Sequence, residues 1–253
     1  MSVDVPVLLY HSVNDRPGPE ERPYAVSRSR FAAHADAVRA SGRRAVTISS
    51  LAAALRNGLP LGARALAITF DDGYDDNLDA VEALVDRGLP STVYVTSGEV
   101  GARNRLTPSQ LARLAGIPGV EIGAHAVRHR RLDELEEHEL ADEVSVSKLQ
   151  LEELTGKPIR SFSYPHGAYD WRVRRAVIAA GYQSAVAVKN ALSHDRDDPF
   201  AIARWTVAGR TSASQVGRVI EGEGLPRAWS HERLRTRAFR VARRSRRRLG
   251  RTG

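Results

Sequence analysis

Residues 65–73 read ALAITFDDG, an apolar run that ends in two carboxylates and a glycine. A continuous apolar run of this length is typical of a strand buried on both faces of a parallel sheet. Gly73 allows the chain to turn sharply where the strand ends. The stretch therefore predicts a buried parallel strand with Asp71 and Asp72 at its carboxyl end.

Similar strands alternate with helices along the rest of the chain. Six further apolar runs predict strands, at residues 5–10, 45–48, 91–95, 120–124, 160–164 and 184–188. Segments of helical period lie between them, at residues 30–40, 51–56, 78–87, 108–115, 136–154 and 173–180. This alternation predicts an α/β fold whose parallel sheet is either closed into a barrel or doubly wound.

The composition limits the chemistry. The 253 residues are compatible with one large domain and include no cysteine. Disulfides, thiolate metal sites and cysteine nucleophiles are thereby excluded, so any metal must be bound by His, Asp or Glu. The sequence has no GxGxxG motif after its first strand and no GxxxxGK[ST] loop. This absence argues against a nucleotide-binding fold.

The positive charge is concentrated at the carboxyl end. The formal net charge is +8, but eleven arginines and one acid fall in residues 227–253, leaving 27 basic and 29 acidic residues elsewhere. We therefore predict a nearly neutral domain at residues 1–226 and an Arg-rich tail at residues 227–253, with a basic helix at 229–249 outside the core. Apolar residues between the arginines favour weak contact with an anionic membrane surface; the alternatives are contact with nucleic acid, for which no specific sequence is expected, or a disordered tail.

The amino-terminal residues MSVDVPVLLYHSV lack a basic segment before their short apolar run, which contains Pro6. This pattern does not make a signal peptide. No apolar stretch approaches the roughly 20 residues that span a bilayer. We expect a cytoplasmic protein, peripheral at the inner membrane face if its tail binds there.

A pair of histidines follows a second predicted strand. The run at residues 120–124 ends in His125, and His129 comes four residues later. Because the carboxyl ends of parallel strands lie at one end of a barrel, this pair is expected near Asp72. Two imidazoles and one carboxylate form a ligand set that leaves positions open for water and substrate. Alternatively, Asp72 caps a helix and the histidines are surface residues.

Two more predicted strands end in polar residues. Tyr164-Pro165-His166-Gly167 follows one of them, and a backbone N–H beyond the proline would stabilise an oxyanion; an ordinary turn is the alternative. His11 ends the first strand, where it would protonate a leaving amine; a structural role is the alternative.

Together, Thr69-Phe70-Asp71-Asp72-Gly73, His125-xxx-His129 and Tyr164-Pro165-His166-Gly167 resemble the polysaccharide deacetylase family, also called the NodB-homology or carbohydrate esterase 4 group. The resemblance covers residues 3 to 209 and implies a distorted (β/α)7 barrel. It implies a metal-dependent enzyme that hydrolyses N-acetyl or O-acetyl groups of an acetylated glycan or glycoconjugate and releases acetate.

The resemblance also assigns roles. Asp72, His125 and His129 would bind a divalent ion, with zinc expected first and cobalt, nickel, manganese or iron as alternatives, and Asp71 would be the general base. The stretch Leu8-Leu9-Tyr10-His11-Ser12 resembles the branch of the family whose catalytic-acid histidine lies at the amino terminus. His11 is therefore the expected acid.

The sequence departs from the family pattern at three positions, the least consequential being Ala126 in place of a usual Ser or Thr. Ser163 stands where many members carry an arginine that orients the base, so Arg160 or Arg204 would have to substitute, and we favour Arg204. His166 replaces a common aromatic residue. We expect Arg204 and residues 164–167 to form the substrate and oxyanion site.

Two other functions compete with glycan deacetylation. One is an amidohydrolase acting on a small non-sugar amide, and the other is a non-catalytic carbohydrate-binding barrel. Asp71 and His11 beside the ligands argue against the second, because binding alone requires neither.

Overall fold

The computed structural model describes residues 3–59 and 64–228. This part of the chain contains ten strands: β1 (Asp4–Val5), β2 (Val7–Tyr10), β3 (Arg44–Ala45), β4 (Ala65–Phe70), β5 (Ser91–Val95), β6 (Val120–Ala124), β7 (Ser161–Ser163), β8 (Ser184–Val188), β9 (Ser193–His194) and β10 (Ile202–Thr206). It also contains seven α-helices: α1 (Arg28–Ala40), α2 (Ile48–Asn57), α3 (Asn77–Val85), α4 (Pro108–Gly116), α5 (Glu137–Thr155), α6 (Trp171–Ala179) and α7 (Ala213–Ile220).

Seven parallel strands close into a barrel, in the order β2, β4, β5, β6, β7, β8 and β10. The ring closes because β2 pairs with both β4 and β10. The short strand β3 extends the sheet from β4, while β1 and β9 form a separate antiparallel pair. The predicted distorted (β/α)7 barrel is confirmed, and the doubly wound alternative is excluded.

Three details differ from the sequence prediction. Pro6 divides the predicted strand at 5–10 into β1 and β2, because proline has no backbone N–H to donate. The predicted strand at 45–48 is wrong beyond Ala45, since Thr47 caps a helix that begins at Ile48 and accepts a hydrogen bond from Ser50 N. Strand β10 was not predicted, because Arg204 interrupts its apolar run.

The predicted boundary after residue 226 lies close to the end of the described chain. Arg227 Nε lies 2.7 Å from Asp4 Oδ1, and Ala228 N donates to Leu192 O at 2.7 Å, so the contacts of the domain continue to Ala228. The predicted basic helix at 229–249 lies outside the described residues. None of the helices in residues 3–59 and 64–228 has the length and apolar character needed to cross a membrane.

The alternation of side chains along each strand determines what enters the barrel. In β4, Leu66, Ile68 and Phe70 pack outward in the large cluster under the helices, whereas Ala65 and Ala67 belong to the inner cluster with Tyr94, Val186 and Ile202. Since side chains alternate with period two, Thr69 and Asp71 continue the inner row. The upper half of the barrel interior is therefore polar.

Tyr94 fills the middle of the barrel. Its hydroxyl lies 2.6 Å from Ser161 Oγ, and its ring packs directly on Gly123, where a Cβ atom would come within 2.5 Å of two ring carbons. The guanidinium carbon of Arg204 lies 5.5 Å from the centre of the same ring. Tyr94 thus lies between the inner apolar cluster and the charged upper half of the barrel.

We expect Gly123→Ala to lower the free energy of unfolding by about 1–3 kcal/mol, because the added methyl group displaces the Tyr94 ring from a closely packed interior. Urea denaturation measures the change. Gly217→Ala, within α7, is the control: an added Cβ there meets nothing within 4 Å, and the helix gains up to about 1 kcal/mol. Equal stability of the Gly123 variant and the wild type would contradict this packing.

Candidate active site

The three expected metal ligands meet at the carboxyl end of the barrel. Asp72 follows β4, while His125 and His129 follow β6. One ligand atom from each residue lies within 4.8 Å of the other two. Nε2 of His125 and Nε2 of His129 each lie 3.4 Å from Oδ1 of Asp72. Two nitrogens and one carboxylate oxygen therefore converge.

The spacing and chemistry of this cluster fit a divalent cation. Two atoms bound about 2.1 Å from one ion at a tetrahedral angle lie roughly 3.4 Å apart, which matches the separations of Asp72 from the histidines. Oδ1 of Asp72 is buried and has no hydrogen-bond partner among the described residues. Nδ1 of His125 lies 2.8 Å from the carbonyl oxygen of Ser163, so a proton on Nδ1 leaves Nε2 available to a metal.

The charges of the cluster also suit metal binding. Burial raises the pKa of Asp72, but its interaction with His125, whose Nε2 atom lies 3.4 Å away, outweighs burial and keeps that pKa well below its usual range. Burial, followed by the charge of His125, lowers the pKa of His129 to about 3. Asp72 is therefore ionised and His129 neutral near pH 7, which are the forms that bind a metal. Burial alone would lower the pKa of His125, but the charge of Asp71 and then the interaction with Asp72 raise it, so metal binding would displace a proton from that imidazole.

The backbone around the cluster adopts conformations that are rare for residues other than glycine. Positive φ angles occur at Asp72 (75°), Ala126 (61°), His129 (51°) and His166 (58°). Such conformations cost of order 1–3 kcal/mol each and persist only where surrounding contacts impose them. They concentrate in the three segments that the sequence singled out.

Glu143 of α5 is one of the contacts that impose this conformation. Its carboxylate accepts hydrogen bonds from Val127 N at 2.9 Å and Arg128 N at 2.8 Å, and from Arg128 Nε at 2.8 Å. The side chain is fully buried. Glu143 was not predicted from the sequence; the available signal was a carboxylate on the apolar face of α5, between Leu140 and Val144.

Asp71 is held inside the barrel by Arg204. Nη1 and Nη2 of Arg204 each lie 2.7 Å from one oxygen of Asp71, and Ser163 Oγ donates to Asp71 Oδ2 at 3.1 Å. Nη2 of Arg204 also donates to Ser163 Oγ at 2.9 Å. Burial alone would raise the pKa of Asp71, but the charge of Arg204 and then that of His125 lower it below its usual range. Asp71 is therefore an ionised carboxylate.

His11 lies in the same cleft and is tied to the segment after the Asp71-Asp72 pair. Asn77 Nδ2 donates a hydrogen bond to the His11 carbonyl oxygen at 2.7 Å. The Asp76 carboxylate accepts hydrogen bonds from Ser12 Oγ at 2.6 Å and from Val13 N at 3.0 Å. Burial lowers the pKa of His11, although nearby carboxylates oppose the shift. Asp76 and Asn77 were not predicted from the sequence, although they stand in the same acidic stretch, DDGYDDN at residues 71–77.

Residues 164–167 divide between the cleft and the core. His166 lines the cleft, with its ring centre 4.4 Å from that of His129 and its Nε2 atom 3.1 Å from the His129 carbonyl oxygen. Tyr164 and Pro165 are buried in the core and do not line the cleft. Gly167 has a φ of 64° and packs against Val188, where a Cβ atom would come within 3.0 Å of the valine side chain. His166 is the member of this segment placed to meet a substrate.

The expected metal ligands and the expected catalytic groups share one cleft of about 1040 Å³ at the carboxyl end of the barrel. A volume of that size accommodates more than one sugar unit. The residues that line it include both expected catalytic groups, the three expected ligands and His166: His11, Asp71, Asp72, His125, His129 and His166.

Comparison with known proteins finds a consistent set of similarities. The polysaccharide deacetylase family model matches residues 59–185. YxkH of Bacillus subtilis (strain 168), whose name places it among the polysaccharide deacetylases, is 28% identical over 218 residues, covering 86% of this chain and 76% of that protein.

Two solved structures are similar in fold. Streptococcus pyogenes deacetylase PplD, solved in complex with acetate, matches with a TM-score of 0.79 and 21% sequence identity. The match covers 87% of this chain and 99% of the PplD chain. BC0361, a polysaccharide deacetylase from Bacillus cereus, has a TM-score of 0.76 at 24% identity and covers 87% of this chain and 69% of its own. The family match includes Asp71 and the three expected ligands, whereas His11 and Arg204 lie outside residues 59–185.

We expect Arg204→Gln to lower the free energy of unfolding by about 3–5 kcal/mol, because it leaves the buried Asp71 carboxylate without an opposite charge. Arg160→Gln is the matched control. Arg160 is exposed at the amino end of β7, away from the cleft, and its replacement is expected to change stability by at most about 0.5 kcal/mol. Denaturant unfolding that gives the same result for both variants would contradict the assignment.

Proposed function

This chain belongs to the polysaccharide deacetylase family, and on that premise we propose that it is a metal-dependent hydrolase that removes N-acetyl or O-acetyl groups from a glycan or glycoconjugate and releases acetate. The observation that carries the proposal is the convergence of Asp72, His125 and His129 beside an ionised Asp71. A ligand cluster next to a free base is the arrangement that hydrolysis of an amide or ester requires.

Asp72, His125 and His129 would hold the metal, for which we propose zinc, with cobalt, nickel, manganese or iron as alternatives. A divalent cation at that position polarises the acetyl carbonyl and lowers the pKa of water toward about 7. The protein contributes the orientation of the ligands, through the Ser163 carbonyl at His125 and through Glu143 beneath the loop that leads to His129.

Asp71 is proposed as the general base. Among the described residues, its Oδ1 atom accepts one hydrogen bond, from Arg204, whereas Oδ2 accepts from both Arg204 and Ser163. A carboxylate oxygen accepts two hydrogen bonds, so Oδ1 keeps a lone pair for the proton of the attacking water. Arg204 fixes the direction of that lone pair.

His11 is proposed as the acid that protonates the departing amine. Strand β2, which carries it, adjoins β4, which carries Asp71, so the acid and the base reach the cleft from neighbouring strands. Burial lowers the pKa of His11, which makes its imidazolium form a stronger acid but a less populated one near pH 7. The backbone N–H of His166 is proposed to stabilise the oxyanion.

The direct test is mass spectrometry of N-acetylated and O-acetylated glycans after incubation with the zinc-loaded protein, scored for loss of one acetyl group. We expect Asp71→Asn to lower turnover by about 10²–10⁴-fold, the usual contribution of a general base. The bound zinc, measured by elemental analysis, stays unchanged because Asp71 is not in the ligand cluster.

Asp75→Asn is the matched control for this experiment. It makes the same substitution in the same loop, at an exposed aspartate that does not line the cleft, and should retain full turnover. Full turnover in Asp71→Asn would remove that residue from the role of base. Failure of the wild-type protein to release acetate from any glycan while it opens a cyclic amide would favour the amidohydrolase instead.

The basic tail supports a proposal about location. We propose that residues 227–253, with eleven arginines and one acid, bind the enzyme to anionic lipid headgroups at the cytoplasmic face of the inner membrane. Each arginine near such a surface contributes about 1 kcal/mol, and the attraction falls within a Debye length. The full-length protein is expected to sediment with anionic vesicles but not with neutral ones, and to be released by added salt. Absence of sedimentation with anionic vesicles at moderate salt would refute this proposal.

A further inference from the structure

The cleft wall beside the histidine ligands carries a cation, Arg131, to which the proposed mechanism assigns no role. Arg131 follows His129 by two residues and lines the cleft next to His166. Burial, and then the charge of Arg131, lower the pKa of His166. The guanidinium of Arg131 is therefore close enough to the His166 ring for its charge to be felt there. Within residues 3–59 and 64–228, its side chain has no hydrogen-bond or ion-pair partner.

The neighbouring arginines are neutralised by the protein itself. Arg128 pairs with Glu143 at 2.8 Å and Arg130 with Glu139 at 3.0 Å, and both acids belong to α5. Arg105, which also lines the cleft, pairs with Glu99 at 2.7 Å. Arg131 differs from all three because its charge is directed at the cleft without an acid beside it.

The opposite wall is acidic. Glu20 and Glu21 line the cleft from the segment between β2 and α1, and β2 lies across the closed ring from β6. The Glu21 carboxylate accepts hydrogen bonds from Gly18 N at 3.1 Å and from Asn104 Nδ2 at 3.4 Å. The cleft therefore presents carboxylates from the segment after β2 and a guanidinium from the segment after β6.

We propose that Arg131 determines specificity by binding an anionic group, a carboxylate or a phosphate, on the glycan that presents its acetyl group to the site. The inference rests on the proposed function and names its substrate class. A guanidinium binds either anion through two parallel hydrogen bonds. The anion then lies on the His129 side, and the amine is released on the His11 side, where Glu20 and Glu21 stabilise the ammonium product.

The test compares two N-acetylated oligosaccharides of equal length, one neutral and one bearing a carboxylate, with a phosphate-bearing version as a third arm. We expect wild-type kcat/KM to be highest for one of the two anionic substrates, which identifies the anion. Arg131→Gln should lower kcat/KM for that substrate about ten-fold, mainly through KM, because a charge-assisted hydrogen bond is lost. The neutral substrate should change less than about two-fold, since no charged contact is lost there.

Arg130→Gln is the matched control, because it removes the same charge from the adjacent residue, whose partner is Glu139. If Arg131 acted only through the overall electrostatic field of the protein, kcat/KM would fall equally in both variants for both substrates. That result would overturn the inference. Equal wild-type kcat/KM for neutral and anionic substrates would also overturn it.

Calorimetric binding of the deacetylated products to the zinc-loaded protein separates this inference from the proposed function. Those products cannot turn over, so their affinity reports recognition alone. Tighter binding of an anionic product that Arg131→Gln abolishes supports the inference even if no acetate is released. Acetate release with equal binding of neutral and anionic products supports the function and refutes the inference.

Discussion

The site depends on one buried ion pair, between Asp71 and Arg204. Both side chains are almost completely removed from solvent, and burying two charges costs several kcal/mol per ion unless their geometry and hydrogen bonding are good. Here the guanidinium meets both carboxylate oxygens at 2.7 Å, while Ser163 and the ring of Tyr94 surround the remaining faces. The pair fixes Asp71 in one orientation at the point where β4 ends.

The turn that follows β4 explains why the adjacent side chains of Asp71 and Asp72 point in different directions. Asp71 continues the inward row of β4, in line with Thr69, and so enters the barrel. Asp72 adopts a φ of 75°, which a strand cannot continue, and Gly73 follows with a φ of 72°. This turn directs the second carboxylate towards His125 and His129 instead of along the strand. The proposed base and one proposed metal ligand are thereby obtained from consecutive residues.

The sequence was sufficient for the parts of this arrangement that are local. The strands that carry Asp71 and His125 are apolar runs that end in the chemical groups themselves, so both position and residue type are visible. Glu143, Asp76 and Asn77 were missed because their roles depend on which loops the fold brings against them. Strand β10 was missed for a related reason. A charged residue in a strand normally indicates exposure, and only closure of the barrel provides Arg204 with the partner that allows it to be buried.

Closure also explains how the proposed acid, His11, can act from the amino terminus. An edge strand of an open sheet has one neighbour, but here β2 pairs with β4 on one side and with β10 on the other. A histidine at its carboxyl end therefore stands next to the strand of Asp71 and next to the strand of Arg204. Moving that strand to the other end of the chain would leave both pairings intact, since a closed ring has no first or last member. The order of motifs along the sequence is thus free to vary, while the relative positions of acid, base and ligands are set by strand pairing.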